Sequence, residues 1–299
     1  MERDIEDRYY AIKVALKALL DQRLIGRERE VNSHNWHFLC HDHGEDMRLY
    51  QVNAGKFIYD MSAQELADLL EAVQAILDDH LLDGGEQNLW AMDYVVAEAQ
   101  RGTLEAFNNL SQQSQVYASQ TTLSQLLSSP GYLNQIAAAR LTTFSDWKVI
   151  SDTARGDLTN IITDAVARGV SPRDTAQVIS KRLDVSMYKA KTIAQTEQVG
   201  ALRQAQRNEV DWAKERLGLN TAILWISALK PTTRMTHGAR HGKTYTTDEV
   251  AEFYSKDGNS YNCYCANIPC LLDNEGKLYN EGLAEKLSKE RSNWKSSEK

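Results

Sequence analysis

The sequence predicts a mainly α-helical protein whose long helices lead into a compact C-terminal domain with a few short antiparallel strands. Three observations carry this expectation. Apolar residues recur at three- and four-residue steps through most of the chain before Leu217. A short apolar run, Thr221 to Ser227, then breaks that rhythm and ends at a polar segment around Pro231. From Trp225 to Cys270, two of the seven histidines and three of the four cysteines gather in one stretch.

Each element follows from local pattern. Ile5, Tyr9, Ile12, Leu16, Leu19 and Leu20 stand near helical spacing, so the first stretch reads as an amphipathic helix. A charged break at Arg27–Glu30 precedes His34, His37, Cys40, His41 and His43. That density invites a metal reading, but Trp36, Phe38 and Cys40 alternate as in a strand that turns at Gly44, and no metal is expected there. Arg48–Val52 and Lys56–Tyr59 flank Asn53-Ala54-Gly55, which predicts a hairpin between those two runs. Ser62 and Glu65 form a capping box that opens a helix through Leu69, Val73 and Leu77, ending before Gly84-Gly85. A further helix runs from about Asn88 to Gln115, with Gly102 costing it about 1 kcal/mol relative to Ala.

The polar stretch from Ser111 to Gln120 reads as a hinge. Short helices broken at Pro130-Gly131 follow it, then a longer one from Phe144 to Arg168 that stops at Gly169. Ser171-Pro172 starts a new helix as N-cap and first helical residue, and Asp184 or Ser186 caps another running to Leu217. The domains expected are 1–115, acidic and helical with a short hairpin; 116–275, helical plus α+β; and a charged tail, 276–299.

Composition narrows the function classes. Charged residues make up 25% and apolar residues 42%, the profile of a folded soluble protein. No apolar run approaches the ~20 residues of a membrane span, and the charged start MERDIEDRYY is unlike a signal peptide. Four cysteines, three of them crowded, do not make a disulfide framework, which points to a reducing compartment. The net charge of −7 is uneven: Asp60–Glu105 holds eleven acidic residues and one basic, whereas Lys181–Tyr245 holds twelve basic and five acidic. The second region suits a phosphate backbone, and a solvated helix face explains it equally well.

Two constellations carry chemistry. Glu197 shares a helical stripe with Ala190, Ile193, Ala194, Gly200 and Ala201. A carboxylate turned toward small apolar residues needs a donor from elsewhere, with Arg234 the first candidate and His237 the second. The other constellation is His237, His241, Cys263 and Cys265, a candidate His2Cys2 zinc set. Two cysteines at Cys-x-Cys spacing also share one face of a strand in a core. Metal-free packing is the preferred reading, so no cofactor is expected and structural zinc is the alternative.

The order IAQTEQVGALRQAQ, strand, TTRMTHGARHGKTY and NCYC resembles the C-terminal domain of the phage Mu F-like head morphogenesis proteins over about residues 120–275. Thr196-Glu197 fits that family's Thr-Glu pair. Thr233, Arg234, His237 and Gly242 fit the Arg/His form of its second motif, and Asn262, Cys263 and Cys265 its third. The chain departs from the pattern with Gln195 before the pair and Tyr264 between the cysteines. The resemblance implies a minor capsid protein of a tailed phage, bound at the portal and acting in head assembly, DNA packaging or DNA delivery. Portal protein is the partner implied, with scaffolding or major capsid protein and phage DNA beside it. The virion, and the host cytoplasm during assembly, would be its location. The alternative is a nuclease or toxin-like enzyme on the same domain, with Glu197, Arg234 and His237 as base, anion clamp and acid.

Overall fold

Helix signals decide most of the architecture. The computed structural model describes residues 1–28, 37–40, 48–51 and 57–297, with 37–40, 48–51 and 295–297 described by backbone alone. The chain runs through α1 (Glu2–Arg23), β1 (Gly26–Glu28), β2 (His37–Cys40), β3 (Arg48–Gln51), β4 (Phe57–Tyr59), α2 (Ala63–Leu81), α3 (Gly85–Asn88) and α4 (Met92–Gln113). It continues through α5 (Gln115–Gln120), α6 (Leu123–Leu127), α7 (Pro130–Arg168) and α8 (Pro172–Leu217). The last part is β5 (Thr221–Ile226), α9 (Met235–Gly238), β6 (Thr244–Tyr245), α10 (Thr247–Ser255), β7 (Ala266–Leu271) and α11 (Glu281–Ser297). It is a mainly α protein with a small α+β part at its C-terminal end.

Two compact units form, interleaved in sequence: Glu2–Gly85 with Ser145–Lys191, and Glu86–Phe144 with Thr192–Lys299. The boundaries read from composition, at 115 and 275, are contiguous instead.

In the N-terminal unit, α1 buries Ile5, Tyr9, Ile12, Leu16 and Leu20, the stripe that periodicity predicts. The capping box of Ser62 and Glu65 opens α2, whose Leu69, Val73, Leu77 and Leu81 are buried. Gly169, with φ +67°, ends α7 while Val170 N–H bonds the Ala165 carbonyl. Strand pairing departs from expectation. β3 pairs antiparallel with β2, and β4 with β1, so the hairpin read across Asn53-Ala54-Gly55 does not form. The turn residues allowed that hairpin locally, but β4 is held elsewhere, with Phe57 N–H on Gly169 O and the Tyr59 hydroxyl on Val170 O. The His34–His43 cluster lies outside the described residues, apart from the backbone of β2.

Two helices are longer than expected. Ser129 caps α7, its hydroxyl accepting from Tyr132 N–H, and Pro130 is its first residue, so Pro130-Gly131 starts a helix instead of breaking one. Ser171 caps α8 through Asp174 N–H, and the helix then runs unbroken to Leu217. The restart read at Asp184 and Ser186 is absent because both side chains are engaged tertiarily, Asp184 with Lys13 and Ser186 with Tyr9.

In the C-terminal unit the stretch read as a hinge is packed. Tyr117 of α5 is fully buried beside Leu110, Ala213 and Leu271. The stretch read as a charged tail forms α11, whose Leu287 and Trp294 are buried. The sheet order is β6-β5-β7, antiparallel throughout. β5 is an apolar run because both its faces are covered. Ile223 and Trp225 join one core cluster with Val210, Val250, Cys263 and Cys265. Ala222 and Leu224 join another with Cys270 and Leu287.

Gly102 has a role opposite to its helix propensity. A Cβ there would collide with the Leu202 carbonyl oxygen of α8 and lie 3.0 Å from Ala205 Cβ. Helices α4 and α8 approach closely only because position 102 carries no side chain. Gly102→Ala is therefore expected to destabilise the protein by about 2 kcal/mol, since overpacking outweighs the helix-propensity gain. Urea unfolding checks this, and a gain in stability would show that the helices separate freely.

Candidate functional site

The site is built around the end of β5. After Ile226 the chain turns through Leu229, with φ +48°, into the single turn of α9, which carries His237. Main-chain bonds from Gly242 N–H to Trp225 O and from Trp225 N–H to Lys243 O return the chain alongside the strand. Gly242, with φ +72°, sits where a Cβ would lie 2.6 Å from Leu287 Cβ. That contact and the positive φ explain the glycine expected there. Thr246 and Glu249 cap α10, and the loop after α10 brings Cys263 and Cys265 beneath Trp225.

At the centre, His237 Nδ1 lies 3.4 Å from Cys263 Sγ and 3.5 Å from Cys265 Sγ. All three residues are buried. Arg203 of α8 reaches the same place: its Nη2 donates to Cys265 O at 2.6 Å, Cys263 O at 3.1 Å and Cys263 Sγ at 3.2 Å. Its guanidinium lies over the Tyr254 ring, 4.3 Å from the centroid, and Tyr254 stacks on Trp225. The two thiols are pushed in opposite directions. Cys263 is held far below the usual thiol range by the hydrogen bond from Cys265, then by His237 and Arg203, while Cys265 is pushed up by its charged neighbour and by burial.

Arg234 does structural work one layer out. Its Nη1 donates to Gly258 O at 3.3 Å and Asn259 O at 3.2 Å, and its Nη2 to Tyr261 O at 2.7 Å. The guanidinium thus clamps the loop that leads to the cysteines. A cavity of about 180 Å3 opens beside the cluster, lined by Thr233, Arg234, His237, Asn262, Cys263 and Cys265 among others. Asn262, with φ +51°, supplies the left-handed turn before Cys263.

The structure therefore unites Thr233, Arg234, His237, Asn262, Cys263 and Cys265, and separates three others. His241 leaves the expected His2Cys2 set. Its Nδ1 lies 3.1 Å from both Ser227 N and O, and its Nε2 3.1 Å from a Glu290 carboxylate oxygen. Histidines four apart share a helix face, but α9 ends at Gly238, so the two rings diverge. Thr196 bonds back to the Thr192 carbonyl within α8. Glu197 is half-buried on α8, and both donors expected for it have other partners: Arg234 is engaged by the loop carbonyls, and His237 by Asn259 and the thiols.

Sequence reasoning missed Arg203 and Asn259. A signal for Arg203 existed: Arg203, Gln206, Val210 and Ala213 are buried at helical spacing, so two polar residues occupy core positions of α8. Asn259 gave no signal. Much of the basic excess of Lys181–Tyr245 is also used internally. Arg182 pairs with Asp157 and Lys191 with Glu2 and Glu6, Arg203 and Arg234 bind carbonyls, and Arg240 lies over Phe253.

This geometry defines an α+β module on a long helix, with a buried Arg–His–Cys–Cys centre whose polar groups mostly serve one another and the main chain. Residues 157–268 match the family model of Phage Mu protein F like protein, in the C-terminal part of the chain that the motifs indicate. The family points to a phage head protein and to association with the virion. No curated protein and no solved structure matches the chain. Among the described residues, no helix is long and apolar enough to cross a membrane.

Proposed function

We propose that the protein is a minor head protein of a tailed phage that associates with the portal and acts in head assembly, DNA packaging or DNA delivery. The family match over residues 157–268 carries this reading. The use of the motif residues inside the module supports it: His237, Cys263 and Cys265 are buried together, and the exposed Arg234 clamps the loop that leads to the cysteines. The nuclease alternative needs Glu197, Arg234 and His237 free to act together, whereas Arg234 and His237, which adjoin at 3.4 Å, are engaged by loop carbonyls, Asn259 and the thiols.

Tagged full-length protein recovered from infected cells should bring portal protein or procapsids with it and leave added nucleic acid intact. Recovery without any head protein, or nuclease activity that Arg234→Ala abolishes, overturns the proposal. Contact with phage DNA through the exposed Lys181 and Lys189 belongs to the same reading. Retention on DNA should then fall steeply with added salt and show little sequence preference. Unchanged retention after Lys181→Glu and Lys189→Glu together would remove that contact.

A further inference from the structure

We propose that His237 Nδ1, Cys263 Sγ and Cys265 Sγ form a three-ligand site for Zn2+, with a fourth position that opens toward the adjoining cavity and is filled from outside the chain. The three donor atoms lie within 4.8 Å of one another. With Zn–S near 2.3 Å and Zn–N near 2.0–2.1 Å, a tetrahedral ion separates a sulfur from a nitrogen ligand by about 3.6 Å. The observed separations are 3.4 and 3.5 Å.

The surroundings of His237 suit a ligand. Asn259 Nδ2 donates to Phe253 O at 3.0 Å, which turns Asn259 Oδ1 toward His237 Nε2, 3.3 Å away. Arg234 Nη1, which donates to Gly258 O and Asn259 O, also lies 3.4 Å from Nε2. With an ion on Nδ1, the ring would carry its proton on Nε2, where Asn259 Oδ1 accepts it. A ligating histidine usually has such an outer partner. Arg203, donating to Cys263 Sγ, does the same for a thiolate. Two thiolates and an imidazole suit a borderline-soft ion such as Zn2+ better than Mg2+ or Ca2+. On binding, the ion displaces the protons that the donor atoms still hold, and these pass to solvent.

His241 does not complete the set, because both its ring nitrogens are engaged by Ser227 and Glu290. The cavity of about 180 Å3 beside the sulfurs has room for water or a small anion. Lys230 and Arg234 on its wall favour an anion.

The test uses the full chain, purified under reductant, stripped by chelator and titrated with Zn2+ and then Co2+. One equivalent should bind at this site, and the cobalt form should show thiolate-to-metal charge transfer and the intense visible bands of a tetrahedral ion. Azide should shift those bands. Cys263→Ser with Cys265→Ser should lose this equivalent, whereas His241→Ala should keep it; the comparison also separates this site from the histidines at 34–43. Folded wild-type protein that binds no zinc, or cobalt bound without thiolate charge transfer, overturns the site. So does an equivalent retained by the double serine variant. Bands that azide leaves unchanged, or zinc lost from folded His241→Ala protein, overturn the open fourth position.

Discussion

Arg203→Ala is expected to cost about 4 kcal/mol, the largest effect of any single change considered, because it leaves buried acceptors without a donor. Arg203 is 3% exposed, and its Nη2 is the donor to the Cys263 and Cys265 carbonyls and to Cys263 Sγ. Each buried acceptor left unsatisfied costs roughly 1–3 kcal/mol. Loss of the guanidinium over Tyr254 and of the alkyl stem adds to this. One term acts in the opposite direction: Arg203 Nε has no partner, so part of the burial cost disappears with the side chain. Arg203→Lys should recover only part of the loss, since an ammonium keeps a charge but has no flat face for Tyr254. Denaturant unfolding measures both variants. A loss under about 1 kcal/mol, the size of an ordinary substitution, would mean that the carbonyls find water and that Arg203 does not organise the loop.

Glu209 should make the protein less stable as pH rises from about 4.5 toward 7. Its carboxyl is buried against the cluster around Tyr117, and burial pushes it up from 4.5 to about 7 despite the hydrogen bond that the Tyr117 hydroxyl donates at 3.0 Å. The sign follows from proton uptake. Between these two values the unfolded chain has released the proton and the folded chain still holds it, so stability falls as pH rises. The contribution is complete below about pH 4.5, is lost progressively, and is gone above about 7. The total is on the order of 3 kcal/mol. Other groups titrate in the same window, so the comparison is with Glu209→Gln, which stays neutral and can still accept from Tyr117. The variant should exceed wild type in stability at pH 8, and the difference should shrink toward zero near pH 4. A difference that stays constant with pH would refute the buried, proton-holding carboxyl.

Much of the fold was legible because it is local. The stripe of α1, the capping box before α2, the Ser171-Pro172 start of α8 and the apolar β5 each depend on residues a few positions apart, whose side chains bond or bury together whatever surrounds them. The motif residues Arg234, His237, Asn262, Cys263 and Cys265 were legible as a set for a related reason: they lie within one stretch that can only fold on itself.

Tertiary structure decided the rest. Asp184 and Ser186 look like caps, yet α8 passes through them because Lys13 and Tyr9 take their side chains. Gly102 looks like a weak point of α4, and its purpose appears only when Leu202 and Ala205 of α8 lie against it. Thr-Glu and Arg-x-x-His look like an ion pair waiting to close, but the loop carbonyls around Tyr261 reach Arg234 instead. The charge that meets the cysteines comes from Arg203, about sixty residues upstream. Spacing along a chain constrains which neighbours share a face. Which distant donor meets a buried acceptor depends on how the helices pack, and no local pattern encodes that.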